Sequence, residues 1–185
     1  MIKLEEVMDS PVCYGCGACV SMCPSDAVYM RTDKKGFRRP GILKSKCTGC
    51  NLCYRTCPAV KANRDALFSA SPGSAKAVLS VRNRDNDIRK NSSSGGLFTA
   101  LSDYVLAQGG VVCGAVWLDG LSVGHICAVN AEDRNRMRQS KYVQSDIGCC
   151  FREIRTYLNS GKTVLFTGTP WQTGGLRRFF RDAET

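Results

Sequence analysis

At 185 residues, with 43% hydrophobic and 23% charged side chains, the chain suits one ordinary domain or two small ones and has a globular composition. Its 26 lysines and arginines against 16 acids give a formal net charge of +10, but the excess is spread over both halves, without a dense basic run interleaved with aromatics, which argues against nucleic acid as a partner. No apolar run approaches the roughly 20 residues that span a bilayer, and the start, MIKLEEVMDSP, lacks an apolar signal region, so the expectation is a cytoplasmic protein with no membrane span.

The first element in chain order is a pair of cysteine runs, CYGCGACVSMCP from Cys13 to Pro24 and CTGCNLCYRTCP from Cys47 to Pro58. Twelve cysteines without an export signal weigh against a disulfide framework and towards metal or redox chemistry. Both runs read C-x2-C-x2-C-x3-C-P. Three thiols at two-residue intervals wrap one 4Fe–4S cubane, and the fourth serves the cluster of the other run. The expected ligand sets are therefore Cys13, Cys16, Cys19 and Cys57 for one cluster, and Cys47, Cys50, Cys53 and Cys23 for the second. Each proline turns the chain out of its loop, while Gly15, Gly17 and Gly49 keep bulk away from the inorganic sulfides. Zinc is the competing reading, but its sites favour two separated C-x2-C pairs and would leave a surplus of thiols here. If all eight are thiolates around cores of about +2, the two sites contribute about −4 and much of the formal positive charge is offset. The runs resemble the two-cluster ferredoxin family over about the first sixty positions, which implies a small pseudo-twofold fold.

Residues 1–64 are expected to form this module, 65–75 a polar linker, and 76–185 an α/β domain. KAVLSVRN from Lys76 has a strand pattern, and RDNDIRKNSSSGG reads as a polar loop. GLFTALSDYVLAQ carries apolar residues at helical spacing. GGVVCGAVWL and LSVGHICAV form an expected hairpin about the Asp119-Gly120 turn. AEDRNRMRQS reads as a short polar helix, and DIGCCFREIRTYLNSG as a longer one, with Asp146 near its start and Gly161 as its stop. A buried strand TVLFTGT and a final helix QTGGLRRFFRD follow, giving an α+β chain with a mixed sheet. Cys113 and Cys127 read as small core residues, and Cys149 and Cys150 face apart on a helix, so none of the four is assigned a metal. His125 reads as structural, and no catalytic triad is visible.

Small residues in KNSSSGG run into a helix N-terminus, where hydroxyls, backbone N–H groups and Lys90 suit a phosphate as well as they suit plain capping. With RQSKYVQSDIG and LFTGTPWQTGGL, this segment resembles the family of beta subunits of coenzyme F-420 hydrogenases and dehydrogenases over nearly the whole chain. The resemblance implies FAD as a two-electron relay beside the clusters, a redox partner protein or other oxidoreductase subunits, and a deazaflavin-type acceptor. It carries Ser93, Ser94, Gly95, Gly96, Lys141, Tyr142, Thr167, Gly168 and Thr169 over as flavin-site candidates. Where the family pattern reads G-T-P-C-Q, Trp171 stands in place of the cysteine, and relatives continue well past the position of Thr185. The other reading is a non-catalytic ferredoxin-type carrier with a vestigial appended domain.

Overall fold

The computed structural model describes residues 3–8, 10–60 and 77–181. The expected linker, 65–75, lies outside them. The chain divides into two compact units: residues 1–71, 146–151 and 168–185 form the first, and residues 72–145 and 152–167 the second. The first unit thus draws on two short segments from far along the chain.

In the first unit, α1 (Glu5–Met8), α2 (Ala18–Met22) and α3 (Leu52–Arg55) accompany a hairpin of β1 (Val28–Thr32) and β2 (Arg38–Ile42). The strands pair antiparallel from Val28↔Ile42 to Thr32↔Arg38. Asp33 closes their turn, its Oδ1 accepting from the N–H groups of Lys35 and Phe37 at 2.9 Å each, and Gly36 supplies the positive φ of 87°. The two cysteine runs are copies in conformation as well as in spacing. Gly15 and Gly49 lie at φ 63° and 73°, and Gly17 and Asn51, which cap α2 and α3, at 76° and 59°. Left-handed residues at matching points make each run double back on itself, so that its three leading thiols converge. Leu4, Cys19, Cys23, Ala27, Val28 and Cys53 form a buried cluster, so the thiols are core residues of this unit.

The second unit is built on a three-stranded sheet of order β4-β3-β5, with β3 at Val111–Trp117, β4 at Val123–Ala128 and β5 at Val164–Phe166. β3 and β4 pair antiparallel, β3 and β5 parallel. The sheet is mixed, as the sequence implies. α4 (Asn86–Lys90) falls inside the segment that reads as a polar loop; Asp85 caps it, accepting from the N–H groups of Asp87 and Ile88. α5 (Leu97–Ala107) and α6 (Ala131–Asn135) follow in chain order. Val105, Val112, Val116, Ala128 and Met137 make the core, with Phe98, Leu106, Ile126 and Leu165 against it. The expected strand KAVLSVRN is not found: the described part, 77–83, lies outside both sheets, with Val78 91% and Leu79 77% exposed. Its apolar residues satisfy a strand pattern, but β5 and β4 hold the sheet positions beside β3, so pattern alone does not create a strand.

One buried cation ties α6 to α5. Arg134 is 3% exposed, and its guanidinium donates to Asp103 Oδ1 at 2.6 Å, to the Thr99 carbonyl at 3.1 Å and to the Ser102 hydroxyl. Arg134→Ala strips three acceptors of their donor and opens a cavity. It is expected to lower unfolding stability by about 2–4 kcal/mol, read as a shifted urea midpoint with an unchanged slope.

Candidate functional site

The first unit holds two hollows, each walled by thiols from both runs. Cys13, Cys16, Cys19 and Cys57 line one, together with Leu4, Met30 and Pro40. Cys23, Cys47, Cys50 and Cys53 line the other, beside Val28 and Ile42. Each triplet thus shares a hollow with the last cysteine of the opposite run. Arg39 braces the first loop, its guanidinium donating to the Ser10 carbonyl at 3.1 Å and to the Cys13 carbonyl while pairing with Asp33 at 3.4 Å.

The electrostatics of the thiols follow this grouping. Burial, reinforced by the Cys57 and Cys13 sulfurs, pushes the Cys16 thiol up to about 12. Burial raises Cys19 well above the ordinary thiol range, with Cys16, Cys57, Cys13 and also Cys53 adding to the effect. Burial raises Cys53 to about 11, with Cys23, Cys50 and Cys47 acting in the same direction. Cys23 goes the other way: burial acts upward, but the Ser25 hydroxyl and the N–H groups of Ser25, Ala27 and Val28 outweigh it and lower the thiol. The Ala27 N–H lies 3.3 Å from the sulfur. Clustered thiols that repel one another as anions suit a cationic, thiophilic group that neutralises them, and the donor set fits an iron–sulfur cluster in each hollow.

In the second unit, an open cleft of about 360 Å³ is lined by Asn91, Trp117, Arg136, Arg138, Ser140 and Lys141 among others. It contains one of the nine flavin-site candidates and touches a second. Ser93 Oγ accepts from the Ser140 N–H at 2.6 Å and lies 3.0 Å from the Ser140 hydroxyl. Lys141 Nζ donates to the carbonyls of Arg136, Arg138 and Gln139, at 2.9, 2.6 and 3.2 Å, so its ammonium organises the cleft wall. Burial lowers its pKa. The remaining candidates have other local settings. Tyr142 is 95% exposed. A Cβ on Gly95 would stand 2.3 Å from the Val81 carbonyl oxygen, and Gly96 caps α5 at φ 79°. Thr167 donates its N–H and its hydroxyl to the Cys113 carbonyl, at 2.9 and 3.2 Å. Gly168 and Thr169 belong to the first unit, where the Thr169 N–H and hydroxyl donate to Gln172 Oε1 at 2.9 and 3.0 Å.

Cys113 and Cys127, expected to be unrelated core residues, are direct cross-strand partners with sulfurs 2.6 Å apart. The hairpin itself carried that signal: residues 113 and 127 are equidistant from Gly120, so the turn sets them opposite each other. The buried His125 stacks on Phe166 at 5.3 Å between centroids, and its Nε2 lies 3.1 Å from the Thr167 carbonyl. Burial holds its pKa below the ordinary value, in keeping with a structural imidazole.

Comparison with known proteins accords with the thiol geometry. Residues 12–61 match the family described as 4Fe-4S dicluster domain. A component of the F(420)H(2) dehydrogenase of Methanosarcina mazei is 26% identical over 185 residues, covering 95% of this chain and 50% of its own length. Coenzyme F420-dependent sulfite reductase of Methanocaldococcus jannaschii is 28% identical over 188 residues, covering 95% of this chain and 26% of its own. The VorC component of ketoisovalerate oxidoreductase of Methanothermobacter marburgensis is 31% identical over 64 residues, covering 34% of this chain and 81% of its own. The chain thus spans half the length of the first of these and about a quarter of the second. Among the described residues no helix is long and apolar enough to cross a membrane. With a dicluster module at its head and homology over nearly its whole length, the chain is a distant member of the family of coenzyme F420 hydrogenase and dehydrogenase beta subunits.

Proposed function

We propose that this chain is an electron-transferring oxidoreductase subunit. Cys13, Cys16, Cys19 and Cys57 hold one 4Fe–4S cluster, and Cys23, Cys47, Cys50 and Cys53 hold the other. The observation that carries this reading is the gathering of the eight thiols into two mixed hollows. When bound, such clusters each carry one electron at a time, at potentials set by surrounding hydrogen bonds and burial. The protein's part is to hold the thiols close, exclude water with Leu4, Met30 and Pro40, and orient N–H donors such as that of Ala27 onto sulfur.

The finer reading adds FAD in the second unit, exchanging electrons with a deazaflavin-type or other acceptor and with a redox partner or sister subunit. The polar cleft supports it: Arg136 and Arg138 give it positive charge for a pyrophosphate, and Trp117 gives it an aromatic wall. The packing roles of Gly95, Gly96, Thr167 and Thr169 favour instead a ferredoxin-type carrier whose appended domain holds no flavin. Oxygen-free purification followed by iron, sulfide, zinc and flavin assays separates these. About eight irons with FAD supports the full reading, and about eight irons with none after FAD is supplied leaves the carrier. A colourless protein with about two zinc ions would overturn both. Within the full reading, Arg138→Glu sets a carboxylate against the pyrophosphate, and FAD retention in equilibrium dialysis is expected to fall about tenfold or more while iron content stays constant.

A further inference from the structure

We infer that Cys113 and Cys127 form a reversible two-electron thiol couple, closed to a cross-strand disulfide by a small disulfide oxidant and reopened by a dithiol. The reading is independent of whether flavin binds, and neither cysteine belongs to the two cluster sets.

Antiparallel pairing gives the sheet two unlike faces. Val112, Val116, Ile126, Ala128 and Leu165 point into the core shared with α5. Cys113, Cys127, His125 and Phe166 alternate with them and fall on the opposite face. On that face Cys113 and Cys127 are paired residues of one ladder rung, and directly opposed residues in a ladder have Cα atoms about 4.5–5.5 Å apart. That separation lies within the range a disulfide spans, about 4.4–6.8 Å, so closure asks little of the backbone. The sulfurs stand 2.6 Å apart. Two aligned thiols on a rigid hairpin present a high local concentration of the second thiol to any mixed disulfide formed on the first.

The two sulfurs differ in access, which assigns their roles. Cys113 is 0% exposed, whereas Cys127 is only partly buried. Cys127 attacks one sulfur of the oxidant, releasing one thiol and forming a mixed disulfide. Cys113 then attacks the Cys127 sulfur, releasing the second thiol. In balance, two S–H bonds of the protein and one S–S bond of the oxidant break, while one protein S–S bond and two S–H bonds of the released thiols form. The carboxyl of Glu153 is hydrogen-bonded to Cys127 and is placed to take its proton. Burial, then the neighbouring Cys127, raises that carboxyl above its ordinary range and so brings it closer to a thiol as a proton acceptor. Tyr157 senses the same group: burial first, then Cys127, Glu153 and Cys113, push its phenol upward.

The test uses the cluster-loaded chain under oxygen-free conditions, equilibrated with mixtures of reduced and oxidised dithiothreitol, alkylated, and cleaved at Asp119 so that the two cysteines fall on separate peptides. The expected result is a Cys113–Cys127 linked pair whose ratio to the alkylated forms rises tenfold for each tenfold rise in the oxidised-to-reduced ratio, with iron content unchanged. Full alkylation of both cysteines at every ratio, including oxidised reagent alone, would overturn the couple. So would preferential linkage of Cys127 to any other cysteine. Glu153→Gln is expected to slow closure about tenfold without moving its end point. An unchanged rate would remove Glu153 as the proton acceptor.

Discussion

Cys13→Ala combined with Cys23→Ala is expected to empty both cluster sites, taking iron from about eight atoms per chain to near zero, whereas Cys13→Ala with Cys57→Ala keeps about four. In the first pair the two cysteines belong to the same run but line different hollows; in the second they belong to opposite runs and line the same one. An uncrossed arrangement, with each run serving its own cluster, reverses the two results. The reversal matters because loss of a ligand also weakens the fold. Cys19, Cys23 and Cys53 are part of the buried core, so every ligand change costs some packing. A general loss of stability lowers both double variants together and does not exchange their order. Iron and sulfide assays on oxygen-free preparations, with the four single variants alongside, read the result directly. Four irons retained by Cys13→Ala/Cys23→Ala and none by Cys13→Ala/Cys57→Ala would sink the crossed assignment.

What the sequence made legible follows the range of the signal. The cysteine runs are local: spacing, glycine and proline within twelve residues set the loop, and positive-φ residues recur at equivalent places in both copies. The hairpin of β3 and β4, the capping of α7 (Cys150–Asn159) and the mixed sheet were likewise carried by turn residues and periodicity. Asp146, for example, accepts from the Gly148 N–H at 3.0 Å, and Gly161 ends the helix region at φ 77°. Arrangements between distant segments were not legible. Nothing near Val78 says that neighbouring strand positions are taken, and nothing in NSSSGG says that Gly95 abuts the Val81 carbonyl. Its glycine has a packing cause that the sequence cannot distinguish from a ligand's approach. The Cys113–Cys127 rung lies between these cases: fourteen residues conceal it as a motif, while the turn at Gly120 reveals it as geometry.

The grouping of residues 168–185 with the N-terminal module leads to the second large effect, at Gly175. This glycine sits within α8 (Pro170–Arg181), where the phenyl ring of the fully buried Phe179 lies 5.9 Å from that of Phe151. A Cβ at Gly175 would lie 3.0 Å from Cys16 Sγ, 3.3 Å from Cys16 Cβ and 3.4 Å from Ala18 Cβ. The helix therefore closes directly over a cluster thiol, and glycine is what permits the approach. Two effects oppose each other in Gly175→Ala. Helix propensity favours alanine by about 1 kcal/mol, and the contact with sulfur disfavours it by an amount that a shift of a few tenths of an ångström relieves. The alanine variant is expected to keep about eight irons with little change in unfolding midpoint. Gly175→Leu has no such relief, because its branches must displace either Cys16 or the helix. It is expected to retain about four irons, with the remaining cluster on Cys23, Cys47, Cys50 and Cys53, and to unfold at lower urea. Full iron retention by the leucine variant would show that α8 does not constrain the first cluster. Loss of all eight irons would mean that the helix supports both sites through the shared core of Cys19, Cys23 and Cys53, and not through Cys16 alone.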